Sequence, residues 1–189
     1  DLINSPMGKA VLQGVSKETN QPESKTADVL SMAMPVLLSA MKKNAATPEG
    51  AKGLMGALED SKHDGSLLSN LESVFTGGVN QEVKQDGAGI LNHVLGSKQN
   101  NVASALSQKT GVDSISVMNI MQMAAPLLLS YLGKEKRQNN VNSSNGLEGL
   151  LGSVLGAQTS GGQQNILDMV APILDQDNDG NILDDLGGM

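Results

Sequence analysis

The chain has 189 residues, a net charge of −7 and no cysteine, and its only aromatic residues are Phe75 and Tyr131. The lack of cysteine excludes a disulfide framework and a thiolate nucleophile. Arg137 is the single arginine, which argues against nucleic-acid and phosphate sites because these usually need several arginines for bidentate contacts. Residues 168–189 contain six aspartates and no basic residue, so nearly all of the net negative charge comes from this segment.

The sequence carries no sign of a membrane or export segment. No stretch reaches eighteen uninterrupted apolar residues, and the N-terminus lacks the charged start and apolar run of a signal peptide. These features predict a cytoplasmic protein without a transmembrane segment.

The first helix is predicted to begin at Pro6, because proline is favoured at the first helical position behind a serine cap. Apolar residues then recur at helical spacing along most of the chain. The two longest apolar runs, 29–41 and 115–132, contain Pro35 and Pro126. They predict long buried helices that are kinked at the prolines.

A third helix is predicted behind Thr47, which precedes a proline and a glutamate as a typical helix cap does. Later apolar stripes predict two short helices, the second of which ends at Gly96 in a left-handed stop. The segments 135–146 and 157–164 are polar and are predicted to be linkers.

Two parts of the sequence look duplicated. Residues 15–43 overlay residues 106–134 with proline on proline, and residues 60–71 overlay residues 175–186. The pattern predicts an all-α fold, a multi-helical bundle with an internal duplication in which each unit buries an apolar face against the other. The predicted units, which form one compact body, are residues 1–86 and residues 87–189.

The strongest chemical signal is a calcium-loop pattern, DQDNDG, which runs from Asp175 to Gly180. Alternate aspartates converge on a cation in such loops, and glycine permits the sharp turn. Leu186 stands where a bidentate glutamate belongs, so the expected dissociation constant for Ca²⁺ is on the order of 10⁻⁵ to 10⁻³ M. The alternative interpretation is a solvated acidic tail whose aspartates cap a last helix. The predicted ligands are Asp175, Asp177, Asp179, the backbone carbonyl of Asn181, Asp184 and Asp185.

The overlaid earlier segment lacks this pattern, because Lys62 stands where Asp177 does. A cationic side chain at a ligand position opposes metal binding, so the first loop is predicted to hold no calcium. Asp64 and Gly65 are expected to form the turn and the cap of the following helix.

Four segments occur in a characteristic order: NSPMGKAVLQGVSKETNQP, GILNHVLGSKQNNVASALSQKTG, MAAPLLLSYLGK and DQDNDGNILDDL. In this order they resemble the YidB-like bacterial proteins, a family catalogued as domain of unknown function 937. The resemblance covers essentially the whole chain. It implies an all-helical bacterial protein without an assigned activity.

Residues 106–121 have the outline of a helix-turn-helix, with Gly111 in the turn and Val117 and Ile120 facing inward. The would-be recognition helix starts with short polar side chains and has no basic residue before Lys134. This composition favours plain helix packing, and DNA binding is the alternative function.

Several methionines at helical spacing would suit thioether coordination of Cu(I). Their leucine- and alanine-rich surroundings favour a place in the core instead. These methionines are Met32, Met34, Met118, Met121 and Met123.

His63 and His93 have no serine nucleophile, second histidine or carboxylate at catalytic spacing, and both are predicted to be surface residues. The sequence contains no dinucleotide-binding fingerprint, phosphate loop or HExxH motif. It therefore predicts a protein that is not an enzyme.

The segment 146–156, GLEGLLGSVLG, places its leucines on one helical stripe. Glycine inside a helix costs about 1 kcal/mol per position relative to alanine, so this helix needs a packing partner. The partner is the body of the same chain, another subunit or a membrane surface. The sequence as a whole predicts a helical scaffold or protein-interaction module with a weak calcium-binding loop and an unidentified protein partner.

Overall fold

α-Helices joined by short turns make up the part of the chain that the structure describes. The computed structural model describes residues 6–70, 73–74 and 79–159. These residues contain no strand, which confirms the all-α prediction. The helices are α1 (Pro6–Thr19), α2 (Glu23–Ala45), α3 (Pro48–Glu59), α4 (Ser66–Ser69), α5 (Gln81–Val94), α6 (Gln99–Thr110), α7 (Ser114–Gln138) and α8 (Ser144–Thr159).

Side-chain caps fix where several helices begin, because each cap satisfies a backbone N–H that has no partner within the helix. Thr47 Oγ1 accepts a hydrogen bond from the backbone N–H of Gly50 at 3.1 Å, as the cap signature before α3 predicts. Asp113 accepts one from the backbone N–H of Ser116 at 2.9 Å at the start of α7. Helix α1 is described from Pro6 onward, and its predicted serine cap lies outside the described residues.

Residues in the left-handed conformation terminate several helices. Gly96 has a φ of 54° just after α5, as predicted, and Gly111 has a φ of 75° after α6. Asn20 and Asn140 take the same role after α1 and α7, with φ of 53° and 52°. Asparagine is among the few residues that tolerate this conformation at a helix end.

Helices α2 and α7 form the centre of the bundle and are buried along most of their length. Helix α5 packs against α7, and α8 packs against α2. The core is aliphatic and methionine-rich, as the composition requires. Its largest fully buried side chains include Leu37, Leu38, Met41, Met121, Leu129 and Leu132.

Helix α7 is the one helix in the described ranges that is long and apolar enough to span a membrane by length and composition. Its most apolar window is 72% buried inside the bundle. That burial matches the place of α7 at the centre of the core.

Pro35 and Pro126 lie inside α2 and α7, and both prolines are buried. The prediction of two long buried helices is therefore confirmed. The kink at each proline stays a prediction.

The segments that overlay in sequence share local structure. Helix α1 ends at Thr19 and α6 ends at Thr110, and the Oγ1 of each threonine donates to the carbonyl four residues earlier at 2.8 Å. Asn20 and Gly111 follow in the left-handed conformation. After the same short turn, α2 and α7 begin at equivalent positions. This correspondence supports the duplication, which stays an interpretation for the whole chain.

A second correspondence relates α3 to α8. Thr47 accepts from the N–H of Gly50 at 3.1 Å, and Ser143 Oγ accepts from the N–H of Gly146 at 3.2 Å. Helix α3 contacts α7, and α8 contacts α2. Both helices contact both central helices, and both pack mainly on α2.

The prediction of a linker at 135–146 is wrong at both ends, because α7 continues to Gln138 and α8 begins at Ser144. Lys136 is buried, and its Nζ donates to Glu59 Oε1 at 3.1 Å. Because Glu59 pairs with the buried ammonium group of Lys136, α7 continues through this polar part of the sequence.

The second predicted linker, 157–164, is helical as far as Thr159, and its remainder lies outside the described residues. The predicted boundary between the two units, at residue 86, falls inside α5 (Gln81–Val94).

Candidate binding groove

The predicted calcium ligands all lie outside the residues that the structure describes. These ligands are Asp175, Asp177, Asp179, Asn181, Asp184 and Asp185. Within residues 6–70, 73–74 and 79–159, no group of three or more histidine, aspartate or glutamate side chains is arranged to hold a metal ion.

The earlier acidic loop is a structural turn. Asp60 Oδ1 accepts from the backbone N–H of Lys62 at 2.9 Å, and Asp64 Oδ1 accepts from that of Ser66 at 2.8 Å. Gly65 has a φ of 95° and precedes α4. The expectation that Asp64 and Gly65 form the turn and cap is confirmed.

His63 is 4% exposed, so the prediction of a surface histidine is wrong for this residue. Its Nδ1 lies 2.7 Å from the carbonyl oxygen of Ala57, and its Nε2 lies 2.7 Å from Asp86 Oδ2. Both ring nitrogens therefore lie within hydrogen-bond distance of protein oxygen atoms. The pair ties the loop after α3 to α5.

Asp86 was not predictable as the partner of His63. Helical periodicity relates residues within one helix, whereas this pair joins α5 to the loop after α3. The neighbouring Gly87 is a sequence signal for this region, because a glycine inside a helix can mark a close contact between helices. A Cβ added there would overlap the carbonyl oxygen of Gln122, so α5 needs glycine at its closest approach to α7.

Two adjoining cavities lie beside α5, and Gln85 and Asp86 line both of them. The larger has a volume of about 670 Å³ and the smaller about 340 Å³. Cavities of roughly 300–1,000 Å³ are typical of ligand sites. We call the two cavities together the α5 groove.

The larger cavity has an apolar interior and a polar edge. Its apolar lining, Leu67, Val74, Val83 and Pro126, is partly or fully buried. The exposed polar residues around it are Lys62, Ser66, Asn70, Asn80, Glu82 and Gln85. An apolar centre with a polar rim is the usual anatomy of a binding surface.

The smaller cavity holds both histidines. His93 is exposed, as predicted, and a Cβ added at Gly53 would lie 2.9 Å from its Nε2. Both ring nitrogens of His63 are engaged in hydrogen bonds, to Ala57 and Asp86. The cavity therefore brings together an exposed histidine and a histidine that is fixed by two polar contacts.

The helix-turn-helix outline at 106–121 is present as α6, a turn at Gly111 and the start of α7. Val117 and Ile120 are fully buried, as predicted. Ile115 is 74% exposed and is the one large apolar side chain exposed in the described ranges.

Helix α8, which contains 146–156, packs its apolar stripe into the body of the chain, with Leu147 and Leu151 fully buried. A Cβ added at Gly149, Gly152 or Gly156 would meet nothing within 4 Å. The glycine face of α8 therefore points away from the body. Self-association through this segment stays a prediction.

The methionines considered for Cu(I) belong to the core or pack against it, as predicted. Met121 and Met123 are fully buried, and Met32, Met34 and Met118 are partly buried against the core.

The shifted titrations have local structural causes outside the groove's interior. Hydrogen bonds from Ser66 lower the pKa of Asp64, and hydrogen bonds from Ser116 lower that of Asp113. Burial raises the pKa of Tyr131, and a hydrogen bond from Lys84 lowers the pKa of Glu18. The shifts thus reflect two caps, a buried phenol and an ion pair.

Comparison with known protein families identifies a bacterial family. DUF937, described as a bacterial protein of unknown function, matches residues 1–135, more than two thirds of the chain. The family resemblance is therefore confirmed. No curated protein and no solved structure matches the chain.

Proposed function

Because the chain belongs to the DUF937 family of bacterial proteins of unknown function, we propose a function from its own geometry: it is a non-catalytic helical module that binds a segment of a partner protein in the α5 groove. The observation that carries this proposal is the apolar lining around Leu67 and Val83, enclosed by exposed polar residues. Fully enclosed apolar centres supply most of the binding energy in such surfaces.

Binding fits the groove better than catalysis. The buried imidazole of His63 holds Ala57 and Asp86 through its two nitrogens and is used for structure. A catalytic constellation needs a nucleophile and a base within hydrogen-bond reach and a third group that orients the base. His63 and Asp86 supply an oriented pair without a free ring nitrogen.

The rim indicates the chemistry of the partner segment. Lys62 and Glu82 place opposite charges at the edge of the cavity, while Asn70 and Gln85 offer amide donors and acceptors. A segment of low net charge matches this rim, with one or two large aliphatic side chains directed into the cavity and backbone groups that meet the amides.

A photo-crosslinking amino acid at Gln85 tests this function in bacterial cells that express the full chain. Gln108, an exposed glutamine on α6 away from the groove, is the matched control position. We expect a discrete crosslinked protein from position 85 that is missing from position 108. Identical products at both positions, or none at 85, would refute the proposal.

Calcium binding by the C-terminal loop is the second part of the proposed function. The DQDNDG pattern supports calcium binding. The overlaid first loop, residues 60–71, supports the sharp turn, because Gly65 corresponds to Gly180 and adopts the left-handed conformation that a calcium loop needs at this glycine. Asp177→Lys introduces at position 177 the residue of the first loop, Lys62.

Millimolar Ca²⁺ should shift the amide signals of residues 175–186 in the unmodified chain but not in the Asp177→Lys variant. Unchanged signals in the unmodified chain would remove calcium from the account.

DNA binding through 106–121 is the alternative function, supported only by the helix-turn-helix geometry. Titration with duplex DNA at low salt tests it, because phosphate contacts weaken steeply with added salt. Salt-sensitive binding that Asn119→Asp abolishes would promote this alternative, and no binding at low salt would remove it.

A further inference from the structure

The first turn of α7 presents an apolar side chain to solvent. Ile115 is 74% exposed, and among the described residues it is the one large apolar side chain of this kind. Residues 114–122 contain no charged side chain. The backbone N–H groups of Ser114 and Ile115 lie at the start of α7, where a helix supplies no acceptor for them. This turn therefore offers an aliphatic side chain together with backbone donors.

The same features are those that the α5 groove requires of its occupant. Leu67 and Val83 line the larger cavity, and Asn70 and Gln85 at its rim carry amide oxygens that accept hydrogen bonds. The volume of this cavity, about 670 Å³, exceeds that of an isoleucine side chain. The cavity thus has room for Ile115 and for part of the turn around it.

Charges beside Ile115 complement the charges at the rim of the groove. Asp113 precedes α7 and is exposed, and Lys25 Nζ donates to the carbonyl oxygen of Thr110 at 2.8 Å in the same turn. The rim carries the exposed Lys62 and Glu82. Each surface therefore has one carboxylate and one ammonium group, so opposite charges can pair across a contact between them.

Ile115 is too far away to fill the groove of its own chain. Pro126, which lines the larger cavity, lies eleven residues after Ile115 on α7. A helix rises 1.5 Å and turns about 100° per residue, so the two residues are about 16 Å apart along α7 and about 20° apart around it. Both residues thus lie on one side of α7. Two copies related by a two-fold axis can therefore make the same contact twice.

We propose that a second copy of this chain occupies the α5 groove, with Ile115 of each copy in the larger cavity of the other. The proposal rests on the groove as a protein-binding site and names the partner as the chain itself. Charge complementarity and the match between one exposed apolar side chain and one apolar cavity select this occupant. A closed dimer covers both grooves, so assembly stops at two copies.

Sedimentation equilibrium of the purified full chain tests the dimer. We expect twice the mass of the chain at high protein concentration. Ile115→Ser should weaken the dimer dissociation constant about tenfold or more, because it removes the apolar group at the centre of the contact. Ile115→Leu keeps an apolar side chain of similar size and should stay within about threefold of the unmodified chain. A monomer at every concentration, or equal dissociation constants for the two variants, would overturn the proposal.

A mixture of two variants tests which surfaces meet. Ile115→Ser keeps its groove, whereas Gln85→Trp fills the groove and keeps Ile115. Each variant alone lacks both contacts of the dimer, but a mixed dimer retains one of them. Native mass spectrometry separates the three species by mass, and the amide spectrum of each variant reports whether it is folded. We expect the mixed dimer to exceed both single-variant dimers. A mixed dimer no more stable than the other two would contradict the proposed contact.

The crosslinked product at position 85 distinguishes this proposal from the function of the groove itself. A product with twice the mass of the chain supports the second copy as the partner. A product that contains a different protein, together with a monomeric purified chain, overturns the second copy and leaves groove binding in place. Failure of groove binding appears instead as the absence of any product at position 85.

Discussion

Asp86 Oδ2 lies 2.7 Å from the Nε2 of His63, and this hydrogen bond joins α5 to the loop that follows α3. The contact sits at the wall shared by the two cavities of the α5 groove. Burying a polar group without a hydrogen-bond partner costs free energy. The hydrogen bond therefore stabilises the position of α5 relative to the loop after α3. This hydrogen bond thus contributes to the shape of the groove, together with the packing of α5 on α7.

Removing the carboxylate is expected to destabilise the fold. Asp86→Ala leaves the buried Nε2 of His63 without its hydrogen-bond partner and should lower the free energy of unfolding by about 1–3 kcal/mol. Gln85→Ala changes the exposed neighbour on α5 and should alter it by less than about 0.5 kcal/mol. Urea unfolding of both variants measures the difference, and equal stabilities would show that the His63–Asp86 contact contributes nothing.

Two glycines on α5 provide a matched pair. Gly87→Ala drives a Cβ into the carbonyl oxygen of Gln122 and should destabilise the protein by about 1–3 kcal/mol or more. Gly89→Ala meets nothing within 4 Å and should stabilise α5 by up to about 1 kcal/mol. Thermal and urea unfolding report both effects. A stable Gly87→Ala variant would mean that α5 and α7 are farther apart than described.

The cap of α7 should make stability depend on pH. Hydrogen bonds from Ser116 hold the pKa of Asp113 below its ordinary value of 3.8. A carboxyl group with a lowered folded-state pKa stabilises the fold above its unfolded-state pKa, and this contribution is lost as pH falls through the lower folded-state value. The gap in urea midpoint between the unmodified chain and Asp113→Ala should therefore be constant above about pH 5 and shrink below about pH 4.

Asp113→Asn is the control for the charge, because asparagine also caps helices but does not titrate in this range. Its midpoint should keep its distance from that of Asp113→Ala at low pH. A gap between the unmodified chain and Asp113→Ala that stays constant down to pH 2 would contradict the assigned cap.

The turn after α7 predicts opposite effects for neighbouring asparagines. Asn140 has a φ of 52°, so Asn140→Gly should raise the free energy of unfolding by roughly 0.5 kcal/mol. Asn139 has a φ of −96° and donates to the carbonyl oxygen of Glu135 at 2.9 Å. Asn139→Gly should lower stability, because it removes this bond and loosens the unfolded chain. The same sign for both substitutions would contradict the described turn.

The all-α class and the positions of most helices were predictable because the signals that set them are local. Caps such as Thr47 and left-handed stops such as Gly96 act within one turn of a helix, and the structure has both where the sequence predicts them. The apolar stripes likewise identify α2 and α7 as buried helices. Local patterns of this kind can be recognised in a sequence without knowledge of tertiary contacts.

The candidate site was not predictable from these patterns. His63 looked like a surface residue because the acidic loop around it is polar, yet α5 and α7 cover it in the fold. The linker prediction at 135–146 failed for the same reason, since the partner of Lys136 is Glu59, far away in the sequence. Burial of a polar residue depends on contacts between distant elements, which neither periodicity nor composition records.

The most direct test of groove binding is the affinity of the partner captured at position 85 for three forms of the full chain. Gln85→Trp fills the α5 groove, whereas Gln108→Trp adds the same side chain to an exposed site on α6. Binding in the groove predicts a dissociation constant about tenfold or more weaker for Gln85→Trp and unchanged for Gln108→Trp. Equal affinity of all three forms would show that the partner binds elsewhere.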